Sequence, residues 1–118
     1  MLDLIIKNGK CYIDGELKGV DIAIKDKKIH QIGQISEGAK ETIDASGHTV
    51  LPGCIDTQTH FREPGSTDTE DLHSGSRAAI VGGITSVFEM PNTNPPTSNK
   101  KEFQRKLDLA KNRMYCNY

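Results

Sequence analysis

No charge of one sign dominates this sequence: 15 Lys and Arg stand against 16 Asp and Glu, a formal net charge of −1. Such a balance supplies no general field for gripping DNA, RNA or an anionic membrane. Long apolar runs are missing too; none approaches the roughly 18 residues that a membrane-spanning helix needs. The N-terminus, Met1-Leu2-Asp3-Leu4, has neither the basic nor the apolar region of a secretory leader. Cysteine is sparse. Cys11, Cys54 and Cys116 are odd in number and far apart, so they make no disulfide framework and no Cys-x-x-Cys motif. A reducing, cytoplasmic setting is expected. Internal repeats and low-complexity tracts are absent. Hydrophobic residues make up 35% of the chain, which predicts a thin core even with 11 glycines added. At 118 residues there is room for one ordinary domain. A complete (β/α)₈ barrel of roughly 250 residues does not fit.

What is present begins with short strands. Leu2–Lys7 ends at the turn pair Asn8-Gly9, and Lys10–Ile13 ends at Asp14-Gly15. Val20–Lys25 and Lys28–Gly33 alternate apolar and polar residues around Asp26-Lys27, as half-buried strands do. Glu41–Ala45 and His48–Leu51 flank Ser46-Gly47. Strands this short, with turns this frequent, predict a small antiparallel sheet or half of a sandwich.

The pattern changes near Leu51. Gly53-Cys54-Ile55-Asp56 leads a buried strand into the polar loop Glu63-Pro64-Gly65. Thr67 and Glu70 have capping-box spacing, which predicts a helix from Thr69 to Gly82 with Leu72, Ser76, Ala79 and Gly83 inward. Ile84–Phe88 reads as a second buried strand and Pro91–Pro96 as a loop. Ser98 is placed to cap a helix with Phe103, Leu107, Ala110 and Met114 on one stripe. Lys101, Arg105, Lys106 and Arg113 fall off that stripe and are expected on its solvated side. Met114–Tyr118 would open a third strand. The order strand, helix, strand, helix, strand implies a parallel sheet with right-handed crossovers. Such a sheet must be covered on both faces, so a fragment of a larger architecture is expected.

Two segments carry chemistry. In Asp56-Thr57-Gln58-Thr59-His60-Phe61-Arg62, a strand continued to Arg62 would point Asp56, Gln58, His60 and Arg62 one way. That row holds a carboxylate, an amide, an imidazole suited to a metal and a guanidinium suited to a carboxylate. It would sit at the C-terminal end of the first parallel strand, where parallel α/β folds place their sites. Glu89-Met90-Pro91-Asn92-Thr93-Asn94-Pro95-Pro96 ends the next strand and brings the Asn92 amide to the same mouth. From composition alone, both segments also read as ordinary polar loops.

Pro52-Gly53-Cys54-Ile55-Asp56, Gln58-Thr59-His60-Phe61-Arg62-Glu63-Pro64-Gly65, Gly82-Gly83-Ile84-Thr85 and Met90-Pro91-Asn92-Thr93-Asn94-Pro95-Pro96 together resemble the dihydroorotases, cyclic amidohydrolases of the amidohydrolase superfamily. The resemblance implies an α/β fold. A small N-terminal β-sandwich-type domain, residues 1–50, would precede the first strands and helices of a (β/α)₈ metal-dependent hydrolase barrel, residues 51–118, truncated after its third strand. It implies reversible hydrolysis of dihydroorotate to N-carbamoyl-aspartate in pyrimidine biosynthesis, with one or two Zn²⁺ ions supplying the nucleophilic hydroxide. By the same resemblance His60 is a metal ligand, Arg62 and Asn92 hold the substrate carboxylate, and Asp56 stands behind the ligands. Gln58 occupies a position where the family has a histidine. A neutral amide is a poorer zinc ligand, which weakens the second metal position. The bridging lysine, further histidines and catalytic aspartate of relatives would lie beyond Tyr118, so these 118 residues are expected to be inactive alone.

The Asn of Met-Pro-Asn-Thr and the Arg after His-Phe point toward dihydroorotase and away from allantoinase and hydantoinase. The alternatives are an allantoinase- or dihydropyrimidinase-like cyclic amidase, or a non-catalytic subunit supporting aspartate transcarbamoylase. A small-molecule substrate is expected, with aspartate transcarbamoylase or a second copy of the chain as possible protein partners. His30, His48 and His73 read as structural or solvated. Cys54 reads as buried and inert, and Cys11 and Cys116 as thiols without an activating neighbour.

Overall fold

Left-handed backbone at the turns cuts the first half of the chain into short strands. The computed structural model describes residues 1–118, which divide into two compact units, Met1–Pro52 and Gly53–Tyr118. In the first unit, β1 (Leu2–Lys7) leads through Asn8, at φ 64°, into β2 (Lys10–Ile13). Asp14 and Gly15, at φ 53° and 84°, then turn the chain into β3 (Glu16–Gly19). Two positive-φ residues in a two-residue loop are what a tight hairpin requires. The same device, Asp26 and Lys27 at φ 51° and 62°, joins β4 (Asp21–Lys25) to β5 (Lys28–Gly33). β6 (Ala39–Asp44) and β7 (Thr49–Val50) complete the unit.

These strands form two sheets, in the orders β5-β4-β1-β6 and β3-β2-β7. Both are mixed rather than antiparallel, because β6 runs parallel to β1 and β7 parallel to β2. After its two hairpins the chain returns along β1 and then β2 in their own direction. β3 escapes sequence pattern because Glu16-Leu17-Lys18-Gly19 has a single aliphatic residue and no alternation. Leu2, Ile5, Ala23 and Ile35 are buried together, with Ala39 against them.

In the second unit, β8 (Cys54–Thr59) pairs in parallel with β9 (Ile84–Glu89). α1 (Leu72–Val81) connects them and α2 (Lys100–Ala110) follows β9. The core gathers Phe61, Leu72, Val87, Ala110 and Cys116, packed by Ala79, Ile84, Leu109 and Met114. The fold is mixed α/β with partial sheets and two helices, and no barrel closes.

Several elements differ from their sequence expectations. α1 begins at Leu72 rather than Thr69. Asp71 and Ser74 form the capping box, with Ser74 N–H donating to Asp71 Oδ1 at 2.6 Å and Asp71 N–H to Ser74 Oγ at 3.1 Å. The Glu63 carboxylate accepts Leu72 N–H at 2.9 Å and fixes the first turn there, so Thr67 and Glu70 do not start it. Gly75, not Gly83, joins Leu72 and Ser76 on the buried face. α2 is capped by Asn99, whose Oδ1 accepts Glu102 N–H at 3.0 Å, rather than by Ser98. Its buried contact lies at the far end, at Ala110, which leaves Phe103 54% exposed. Cys54 is exposed, not buried. In place of a third strand there is one bridge, Ser86 to Asn117.

Candidate functional site

The site builds outward from the end of β8. The strand stops at Thr59, short of the expected Arg62, and its register against β9 shifts between Asp56 and Thr59. Alternation nonetheless continues through the loop in burial. Thr59, Phe61 and Glu63 are buried, whereas Gln58, His60 and Arg62 are exposed. Asp56 is half-buried and its Oδ1 accepts Gln58 N–H at 2.9 Å. It braces the backbone under Gln58; no imidazole is its partner.

His60 meets Asn92 across the two strand ends, Nδ1 to Oδ1 at 2.8 Å. The amide oxygen only accepts, so this contact calls for the tautomer that donates from Nδ1, the one that leaves Nε2 free to accept. The Asn92 NH₂ group is left to donate elsewhere. The two loops interlock behind this pair. Met90 N–H donates to Thr59 O at 2.9 Å and Asn94 N–H to Pro64 O at 3.0 Å. Gly65 adopts φ +122°, and a Cβ there would lie 2.8 Å from Asn94 Cβ, so only glycine lets the loops approach this closely.

Two ion pairs that sequence reasoning assigned to solvent support the loop from beneath. Arg113 grips Glu63 with both guanidinium nitrogens, at 2.7 and 2.9 Å. This guanidinium, followed by the Leu72 N–H, holds the Glu63 carboxyl below the usual carboxylate range against the opposing effect of burial. Glu63 in turn raises Arg113 above its ordinary value. Lys106 binds Glu89 Oε1 at 3.1 Å and Met90 O at 2.9 Å. Neither Lys106 nor Arg113 is on a free solvated face, as their spacing along the helix had implied. Their partners lie 17 and 50 residues away, a distance over which helical periodicity carries no information.

His60 Nε2 fits a cation in kind, and the exposed Gln58 amide is the other donor expected here. Nowhere do three His, Cys, Asp or Glu side chains converge into a site. A catalytic zinc takes three protein ligands, so this chain alone does not make a metal centre. A cavity of about 460 Å³ lies on the helix side of the sheet, lined by Phe61, Val87, Phe103, Leu107, Ala110 and Met114 among others. None of Gln58, His60, Arg62 or Asn92 lines it; its walls are mostly apolar, and its charged members, Glu89 and Lys106, bind each other.

Residues 49–117 match the Amidohydrolase family. An allantoinase of Escherichia coli O1:K1 / APEC is 47% identical over 113 residues, covering 95% of this chain and 25% of the relative. The L-hydantoinase (dihydropyrimidinase) of Arthrobacter aurescens superposes with a TM-score of 0.88 at 33% identity, over 98% of this chain and 26% of its own. A more distant structure, the N-acyl-D-glutamate deacylase of Bordetella bronchiseptica in complex with zinc, has a TM-score of 0.58 at 28% identity, over 73% of this chain and 18% of its own. The chain therefore spans about a quarter of the length of the allantoinase and hydantoinase relatives. These relatives overturn the dihydroorotase expectation and, with it, the place in pyrimidine biosynthesis. A guanidinium and an amide such as those of Arg62 and Asn92 suit oxygen acceptors of many kinds. Two such residues do not outweigh 47% identity along nearly the whole chain to an allantoinase.

Proposed function

This chain belongs to the amidohydrolase family, and from that membership we propose that the whole protein is a metal-dependent cyclic amidohydrolase acting on a ureide ring, as allantoinases and dihydropyrimidinases do. Water adds to a ring amide carbonyl, the C–N bond opens, and a carboxylate and a free ureido group result. One observation carries the reading: the His60–Asn92 contact of 2.8 Å joins the loops that follow two adjacent parallel strands, the end where α/β folds place their sites. In this reading His60 presents Nε2 to a divalent cation whose remaining ligands come from outside these residues, with Gln58 a weak donor beside it. Asn92 donates its NH₂ to a ring oxygen, its own oxygen being held by His60. Arg62, exposed and two residues beyond His60, takes an anionic or carbonyl oxygen of the same ring. Asp56 steadies the backbone under Gln58.

The test is a substrate panel with the whole protein: allantoin, hydantoin and dihydrouracil, followed by release of the ureido acid. Turnover of at least one is expected, with Asn92→Ala and Arg62→Ala each raising KM about tenfold, the worth of one or two hydrogen bonds to a charged or polar partner. Turnover of dihydroorotate and of none of these three overturns the proposal.

A further inference from the structure

His60 is bracketed by one carboxylate. Glu89, the last residue of β9, accepts Phe61 N–H at 3.0 Å and the Thr59 hydroxyl at 3.1 Å, both through Oε2. These are the residues on either side of His60. The other oxygen, Oε1, accepts Lys106 Nζ at 3.1 Å. The Glu89 and Lys106 side chains are only 14% and 12% exposed, at one wall of the cavity, so water competes weakly for their bonds. Lys106 also donates to Met90 O, two residues before Asn92. One half-buried pair therefore holds the backbone beside both partners of the His60–Asn92 contact.

A carboxylate beside an imidazole invites a chemical role, but both Glu89 oxygens are engaged, Oε2 by Thr59 and Phe61 and Oε1 by Lys106 of α2. We propose that Glu89, anchored by Lys106, is a positioning residue. It fixes the peptide at Thr59–Phe61 so that the His60 imidazole stays aimed at Asn92. This rests on the functional reading above only for its kinetic consequence.

The experiment compares the whole protein with Glu89→Ala, Glu89→Gln and Lys106→Met, and uses exposed Lys101→Ala as a control. Backbone amide exchange is followed in peptides covering Thr59–Arg62 and, separately, α1. Glu89→Ala is expected to speed exchange at Phe61 at least tenfold while α1 exchanges as before. In turnover of the best ureide, kcat should fall about ten- to a hundredfold with little change in KM, since displacement of a reacting group by about 1 Å costs on that order. Glu89→Gln keeps an acceptor for Phe61 N–H and should recover most of the loss. Lys106→Met should fall between the two. Unchanged exchange at Thr59–Arg62 in Glu89→Ala overturns the proposal whatever the activity. So does equally fast exchange throughout α1, or a glutamine variant no better than alanine, because either marks a general loss of structure. If no ureide is hydrolysed, the functional reading fails and exchange still decides the positioning claim.

Discussion

Glu63 is a buried carboxylate that survives because Arg113 meets it with two parallel bonds. Its pKa is lowered in the folded state, so it contributes stability above the ordinary glutamate value and loses it as pH falls through the lower folded value. Stability of the unit Gly53–Tyr118 should therefore drop between about pH 5 and pH 3. Arg113→Met should cost about 2–3 kcal/mol at pH 7. That is less than the roughly 3–5 kcal/mol of a fully buried pair, because the Arg113 side chain remains 35% exposed. Without its cation Glu63 prefers to be protonated, so the variant should lose less on acidification than the wild type. Denaturant midpoints at pH 7, 5 and 3 check this; parallel losses in the two proteins would refute it. At this scale the exposed row Gln58, His60, Arg62 and the distant Asn92 were legible as motif chemistry. Glu63 stood within a quoted motif, yet its role was not legible, because that role depends on Arg113, 50 residues on.

Among the elements, α1 rests on the site loop through a missing side chain. A Cβ on Gly75 would lie 2.6 Å from Phe61 Cδ1 and 2.9 Å from Glu70 Cδ. Phe61 has little freedom to withdraw, since its N–H is held by Glu89. Gly75→Ala gains about 0.5–1 kcal/mol of helix propensity but incurs about 1–3 kcal/mol of overpacking. The net should be destabilising, with the His60 loop disturbed first; a raised melting temperature would contradict it. The β4–β5 hairpin gives the opposite case. Lys27 sits at φ 62° where such turns favour glycine. Lys27→Gly should stabilise the unit Met1–Pro52 by about 0.5–1 kcal/mol, measured by denaturant midpoint. Strand and helix identities in both units were largely legible from alternation and turn residues. The start of α1 was not, because two successive capping patterns lie in Thr67–Ser74 and a long-range bond from Glu63 selects between them. β3 was not either, since backbone pairing with β2 holds it without an apolar pattern.

For the whole molecule, the chain aligns with only about a quarter of its allantoinase and hydantoinase relatives. Within it no three His, Cys, Asp or Glu side chains converge, so the metal centre proposed above needs donors beyond His60 and Gln58. The mixed α/β architecture followed from sequence order, and the amidohydrolase family from its motifs. The substrate did not, because a guanidinium and an amide suit oxygen acceptors in general rather than one particular ring. No helix is long and apolar enough to cross a membrane. The most direct test of a metal-dependent amidohydrolase is ureide turnover by the whole protein before and after removal of bound metal with a chelator. On the proposed reading, in which a bound cation would supply an activated water at neutral pH, activity should fall at least a hundredfold on removal and return with added Zn²⁺. Undiminished turnover by the metal-free protein would contradict the account.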